Sequence, residues 1–180
     1  MKELSLNILD IAQNSEKAKA TLTEILLTEA DGVLTLVIRD DGCGMTEEVV
    51  CSVTDPFYTT RTTRKVGLGL PLLKLEAEMT GGTMDIVSKH ETAHPADHGT
   101  TVTARFVTAH IDCPPLGDVV ETLVTLIQGH PDTDFLFSHR IGEREIAMDT
   151  RELRAVLEDV PLNSYEVLQW IEAFLREQYQ

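Results

Sequence analysis

A chain of 180 residues, 42% hydrophobic and 25% charged, has the composition of a globular domain with room for an appendage. Its 30 acidic against 15 basic residues, a formal net charge of −15, exclude a nucleic-acid backbone as the main partner, because phosphates are held by clustered Lys and Arg. Three cysteines, Cys43, Cys51 and Cys113, form no CxxC pair and leave an odd count, which argues against a zinc ribbon or disulfide framework and for a reduced, cytoplasmic setting.

The opening MKELSLNILDIAQNSEK has acids and amides where a signal peptide would have an apolar centre, and no run approaches the ~20 apolar residues of a membrane span. Residues 4–18 carry apolar or small side chains at positions 4, 8, 11, 12, 15 and 18, which predicts a helix. Asp10, Asn14 and Lys17 fall on one stripe of that helix, either as a solvated face with an ion pair or as a functional row. Residues 20–29 and 33–39 are β-prone runs around Asp31-Gly32, a hairpin signal. The second run ends in Asp40-Asp41-Gly42-Cys43-Gly44-Met45, where a carboxylate at a strand end meets backbone that can approach a ligand closely.

Thr46 is a plausible N-cap for a short acidic-fronted helix through about Val53, stopped by Asp55-Pro56-Phe57-Tyr58. Residues 59–66 have no apolar period and hold Arg61, Arg64 and Lys65, a basic loop in an acidic chain. Gly67-Leu68-Gly69-Leu70 leads into a helix over residues 71–79 with proline in its first turn and Gly81-Gly82 past its end. Its N-terminal amides suit a phosphate, although the same glycines also serve a simple tight turn.

Residues 83–89 and 100–108 read as strands joined by a polar turn. His90, His94 and His98 have helical spacing, but Pro95 and the flanking strands disfavour the helix that a metal set would need. Beyond the turn-rich junction 112–117, the chain predicts a helix over 118–128, a strand pair 135–139 and 145–148 about Ile141-Gly142, and helices over 151–159 and 165–177. The last starts from an Asn163-x-x-Glu166 capping pattern. No chemical constellation stands out in this third.

Taken in order, the acid and amide on the first helix, DxGxG after a strand, a basic loop with GLGL, and Gly99-Thr100-Thr101 resemble the GHKL superfamily of ATP-binding domains. That superfamily groups gyrase, heat-shock chaperone, histidine kinase and mismatch-repair ATPases, and the chain looks closest to the histidine kinase-like and anti-sigma kinase branch. The resemblance covers about residues 4–108. It implies an α+β fold, a two-layer α/β sandwich of the Bergerat type, with a mixed, mostly antiparallel sheet and helices on one face. Residues 1–109 would be the ATP-binding domain, and residues 110–180 a small C-terminal α/β extension.

The resemblance also implies roles. Asn14 would hold a Mg²⁺ ion bridging the phosphates, and Lys17 would contact phosphate. Asp40, followed by Gly42 and Gly44, would read the adenine amine and so choose ATP over GTP. Residues 55–60 look like the kinase F box, and the amides of Gly67, Leu68, Gly69 and Leu70 would meet the phosphates. Thr101 would lie beneath the adenine, with Arg61, Arg64 and Lys65 over the triphosphate. Two positions depart from the pattern: Ser15 replaces the usual Ala, and Asp10 stands where hydrolytic members have Glu, leaving a shorter candidate general base.

The expected function is therefore an ATP- and Mg²⁺-dependent phosphotransferase acting on a partner protein in signal transduction. Because the motif holding Asp10, Asn14 and Lys17 begins almost at Met1, autophosphorylation from an upstream helical hairpin is not expected, and neither His90 nor His139 reads as a phosphosite. The alternative is a non-catalytic or slowly hydrolysing ATP-gated binding switch.

Overall fold

The computed structural model describes residues 3–54 and 68–180. Residues 55–67, which carry the expected F box, Arg61, Arg64, Lys65 and Gly67, lie outside the described residues.

The first helix, α1 (Leu4–Lys17), buries Leu4, Ile8, Ile11, Ala12 and Ser15, the face its apolar period predicts. Strands β1 (Leu22–Ala30) and β2 (Val33–Asp40) follow as a hairpin. Asp31 and Gly32 both take positive φ, 52° and 75°, so the two-residue turn matches the twist of its strands and pairs Ala30 with Val33. Helix α2 (Glu47–Val53) is capped by Thr46, whose hydroxyl accepts from the Val49 amide. Then come α3 (Gly69–Met79), β3 (Thr83–Lys89) and β4 (Gly99–Val107).

The last third forms α4 (Val119–Gly129), β5 (Asp134–Ile141), β6 (Arg144–Asp149), α5 (Thr150–Leu157) and α6 (Tyr165–Tyr179). Its strands join the same sheet. The six-stranded order is β3-β4-β2-β1-β5-β6, antiparallel except where β5 runs parallel to β1. That parallel ladder extends from Leu22 to Glu29, which explains why β5 is longer than its apolar core predicts.

Alternation along the strands makes one sheet face apolar. Ile25 and Leu27, Leu36 and Ile38, Ala104 and Phe106, and Phe135 and Phe137 all point to that face and are buried. They form one core with α1, α3, α4 and α6, and residues from both sides of position 110 belong to it. The fold is thus α+β, two layers, with a mixed and mostly antiparallel sheet. One predicted cap is corrected. Ser164, not Asn163, is the N-cap of α6, with extended φ/ψ of −65° and 147° and no side-chain capping bond. The helix begins one residue later than the Asn-x-x-Glu spacing requires.

Candidate functional site

At the end of β2 the Asp40 carboxylate is held from two sides. Its Oδ2 accepts from the Ser15 hydroxyl at 3.0 Å and its Oδ1 from the Gly42 amide at 2.9 Å. Burial pushes its pKa above the ordinary carboxylate value, while the Gly42 amide, the Ser15 hydroxyl and the Thr100 amide work the other way. With three donors on about four lone-pair sites, the carboxylate keeps room for one further donor.

The loop after Asp40 is fixed by its neighbours. The Asp41 carboxylate accepts from the amides of Thr21 (2.7 Å) and Leu22 (2.9 Å), tying the loop to the start of β1. His98 donates from Nδ1 to the Gly42 carbonyl at 2.6 Å. The Ser88 hydroxyl accepts from the Met45 amide at 2.7 Å and lies 2.8 Å from Thr100 Oγ1. Gly44 has φ +69°, and a Cβ there would come within 1.9 Å of the Lys89 carbonyl oxygen. No other residue fits that close approach of two backbones.

Beside Asp40 opens a cavity of about 490 Å³, within the usual range of small-molecule sites. Its apolar walls include Ile11, Ile38, Val102 and Leu70, and its polar lining includes Asn14, Ser15, Lys17, Asp40 and Thr100. Asn14 and Lys17, one helical turn apart, reach the cavity together, with Lys17 Nζ 3.4 Å from Asn14 Oδ1. These two residues of the α1 stripe thus face the cavity instead of forming a fully solvated face.

Asp10 sits differently. It is not among the lining residues; its carboxylate packs on Gly69, where a Cβ would fall 1.9 Å from Asp10 Oδ2. This places an acid at the N-terminal end of α3, next to Leu68, the helix N-cap, and Leu70.

Thr101 requires a correction. On β4 it alternates with the buried Val102 and pairs with Arg39 and Val87, so it belongs to the face away from the helices. Thr100 has the parity of Val102 and lines the cavity. A Gly-Thr-Thr motif cannot say which threonine faces inward until the register is set.

Of the three histidines with helical spacing, His98 holds the loop at Gly42 and His90 lines the cavity, while His94 lies in the turn between β3 and β4. Sequence reasoning did not identify the parts played by Ser15, Ser88, Thr100 and His98. The only advance signal was Ser15, a departure from the family pattern.

Residues 1–110, more than half of the chain, match the family model described as histidine kinase-, DNA gyrase B-, and HSP90-like ATPase. The C4-dicarboxylate transport sensor protein DctB of Pseudomonas aeruginosa is 32% identical over 73 residues, 40% of this chain and 12% of that protein. The tetrathionate sensor histidine kinase TtrS of Salmonella typhimurium is 31% identical over 98 residues, 54% of this chain and 16% of that protein. The match thus spans less than a fifth of the length of either relative. The Aquifex aeolicus MutL ATPase domain, solved with ADP, superposes with a TM-score of 0.52 at 12% identity, over 98% of this chain and 70% of that one. The shared fold therefore runs past residue 110 into the C-terminal third. With the motif residues of the first helix and of the loop after β2 gathered at one cavity, the chain belongs to the family of histidine kinase-, DNA gyrase B- and HSP90-like ATPases.

Proposed function

We propose that this chain binds ATP with Mg²⁺ in the cavity beside Asp40 and passes the γ-phosphate to a partner protein in the cytoplasm. The observation that carries the reading is the pairing of two ends of one cavity. A half-buried carboxylate with room for one more donor lies at the sheet end, and an amide oxygen and an ammonium lie on α1. An exocyclic amine suits the first, and a metal-bridged polyphosphate suits the second.

The donor set fits a hard cation. Asn14 lines the cavity and, among the described residues, its Oδ1 has one long contact, from Lys17, so it would hold Mg²⁺ together with phosphate oxygens and water. Magnesium would supply charge neutralisation between the phosphates. Leu68, Gly69 and Leu70 would offer the amide end of α3 to phosphate oxygens. Arg61, Arg64, Lys65 and Gly67 would add positive charge and backbone donors from the basic loop. In transfer, a bond forms from the acceptor to the γ-phosphorus and the bond to the ADP oxygen breaks. Where the acceptor carries a proton, Asp10 is the candidate base.

A second reading rests on Asp10 itself. Its carboxylate packs on Gly69 instead of lining the cavity and is one methylene shorter than glutamate, which favours a slow or silent ATPase acting as a nucleotide-gated switch.

Incubation with γ-labelled ATP, alone and with purified candidate acceptors, separates the two. Label on an acceptor supports transfer, phosphate release without label supports slow hydrolysis, and binding with neither supports the switch. Asp10→Ala is expected to keep ATP binding by calorimetry and to lose turnover at least tenfold, about 1.4 kcal/mol or more of barrier. Full turnover in that variant would make Asp10 a surface acid.

A further inference from the structure

Helices α5 and α6 leave an apolar groove of about 490 Å³ between them, walled by Leu153, Val156, Leu157, Val167 and Trp170 with Glu166 at its edge. It lies at the β5–β6 end of the sheet, whereas the nucleotide cavity opens at β2 and β4. Helix α5 contributes only Thr150 to the fully buried set; Leu153 and Leu157 are half-buried against the edge of the core, and with exposed Val156 they wall a groove that the described residues do not fill. Val156 is 82% exposed and Trp170 51% exposed, and Val160 on the connecting segment and Tyr165 at the start of α6 are exposed as well. Large apolar side chains clustered in this way mark an interaction surface more often than scattered ones do.

The charges around the groove select the occupant. Arg151 is paired with Asp149, Arg154 with Asp134, and Arg176 with Asp118 and Glu172. Glu152, Glu158, Asp159 and Glu166 have no ion pair with any described residue. Glu166 at the groove edge, with Glu152 beside Leu153 in α5 and Glu158 and Asp159 just after it, therefore leaves unpaired negative charge on and next to the helices that form the groove. A second copy of this chain would bring acid against acid, and the chain's net charge of −15 opposes an anionic lipid surface.

We propose that this groove docks an amphipathic helix of a partner protein, with apolar residues at i, i+3 or i+4 and i+7 entering between α5 and α6 and Lys or Arg flanking them. Helix-in-groove recognition reads such a stripe through its apolar anchors, and opposite charge speeds and orients the encounter. The partner's helix completes the α layer over Leu153 and Trp170 and leaves the nucleotide cavity free.

Trp170 is the chain's single tryptophan and reports on its own groove. The full chain, without nucleotide, is titrated with a synthetic 14-residue Leu/Lys peptide carrying that stripe, and with an isomer of identical composition whose stripe is scrambled. A saturable blue shift of Trp170 emission with the striped peptide is expected, at least tenfold weaker for the isomer and for Val156→Glu. That side chain is so exposed that the variant is expected to fold, which its circular-dichroism melt checks. Glu152→Gln with Glu166→Gln is expected to lower the salt dependence of binding. Equal binding of the two peptides, no shift at all, or a shift produced by raising protein concentration or adding anionic vesicles without peptide overturns the proposal.

Discussion

Asp40 shows how one side chain can be read from sequence while its chemistry cannot. Its place after a β-branched run and before two glycines singles it out, but the Ser15 hydroxyl 3.0 Å away joins residues far apart in the chain. The half-buried carboxylate, with its raised pKa, has a signed consequence. On the proposed role Asp40 meets adenine in its ionised form, so ATP affinity is expected to fall as pH drops through a value above that of an ordinary aspartate. Ser15→Ala removes a donor to the ionised form; calorimetry across pH is expected to show the midpoint moving up and affinity near pH 7.5 falling about fivefold, about 1 kcal/mol. Asp40→Asn is expected to lose adenine selectivity by roughly thirtyfold or more, about 2 kcal/mol. Because the folded pKa is raised, stability falls as pH rises through that window, so the neutral Asn variant is expected to melt no lower than the parent. Unchanged ATP affinity in that variant would count against the assignment of the site.

At the scale of elements, what local pattern decides was legible. The first helix, the Asp31-Gly32 hairpin, the Thr46 cap and the glycines beyond α3 all stand where period and turn chemistry predict. Facing was less legible: Thr100 and Thr101 are chemically identical, and only the pairing of β4 with β2 and β3 decides which enters the cavity. The loop after β2 depends on backbone contact in the same way. Gly44→Ala would drive a Cβ into the Lys89 carbonyl at positive φ, so a loss of about 3 kcal/mol in denaturant titrations is expected, with loss of ATP binding. A Gly44→Ala variant of parental stability would show that β3 can move away from the loop.

The whole molecule is organised by strands that are distant in sequence. Because β5 pairs with β1 and α4 packs on α1, the fragment 1–110 is expected to expose a strand edge and an apolar helix face. It should bind a hydrophobic dye and aggregate where the full chain does not. At the same end of the sheet His139 is 1% exposed, with Nδ1 2.8 Å from the Tyr179 hydroxyl and Nε2 3.0 Å from Glu29. Burial lowers the His139 pKa against the opposing pull of Glu29, and burial with the Glu29 charge pushes Tyr179 up to about 12. The unfolded chain therefore takes up the histidine proton first, and stability is lost as pH falls from about 6.5 through the lower folded value. Thermal melts should show this acid limb, and His139→Gln should flatten it while melting lower at neutral pH.

Sequence by itself determined the elements and the order of the motif boxes, and it singled out Asp40, Asn14 and Lys17, which line one cavity, because helical and strand periods and glycine punctuation are local properties of the chain. Tertiary structure alone decided that residues 110–180 complete the sheet, that Thr100 and Ser15 serve the cavity, and that Asp10 rests on Gly69. Each of these depends on register or packing between segments separated by tens of residues, and no local period encodes such contacts.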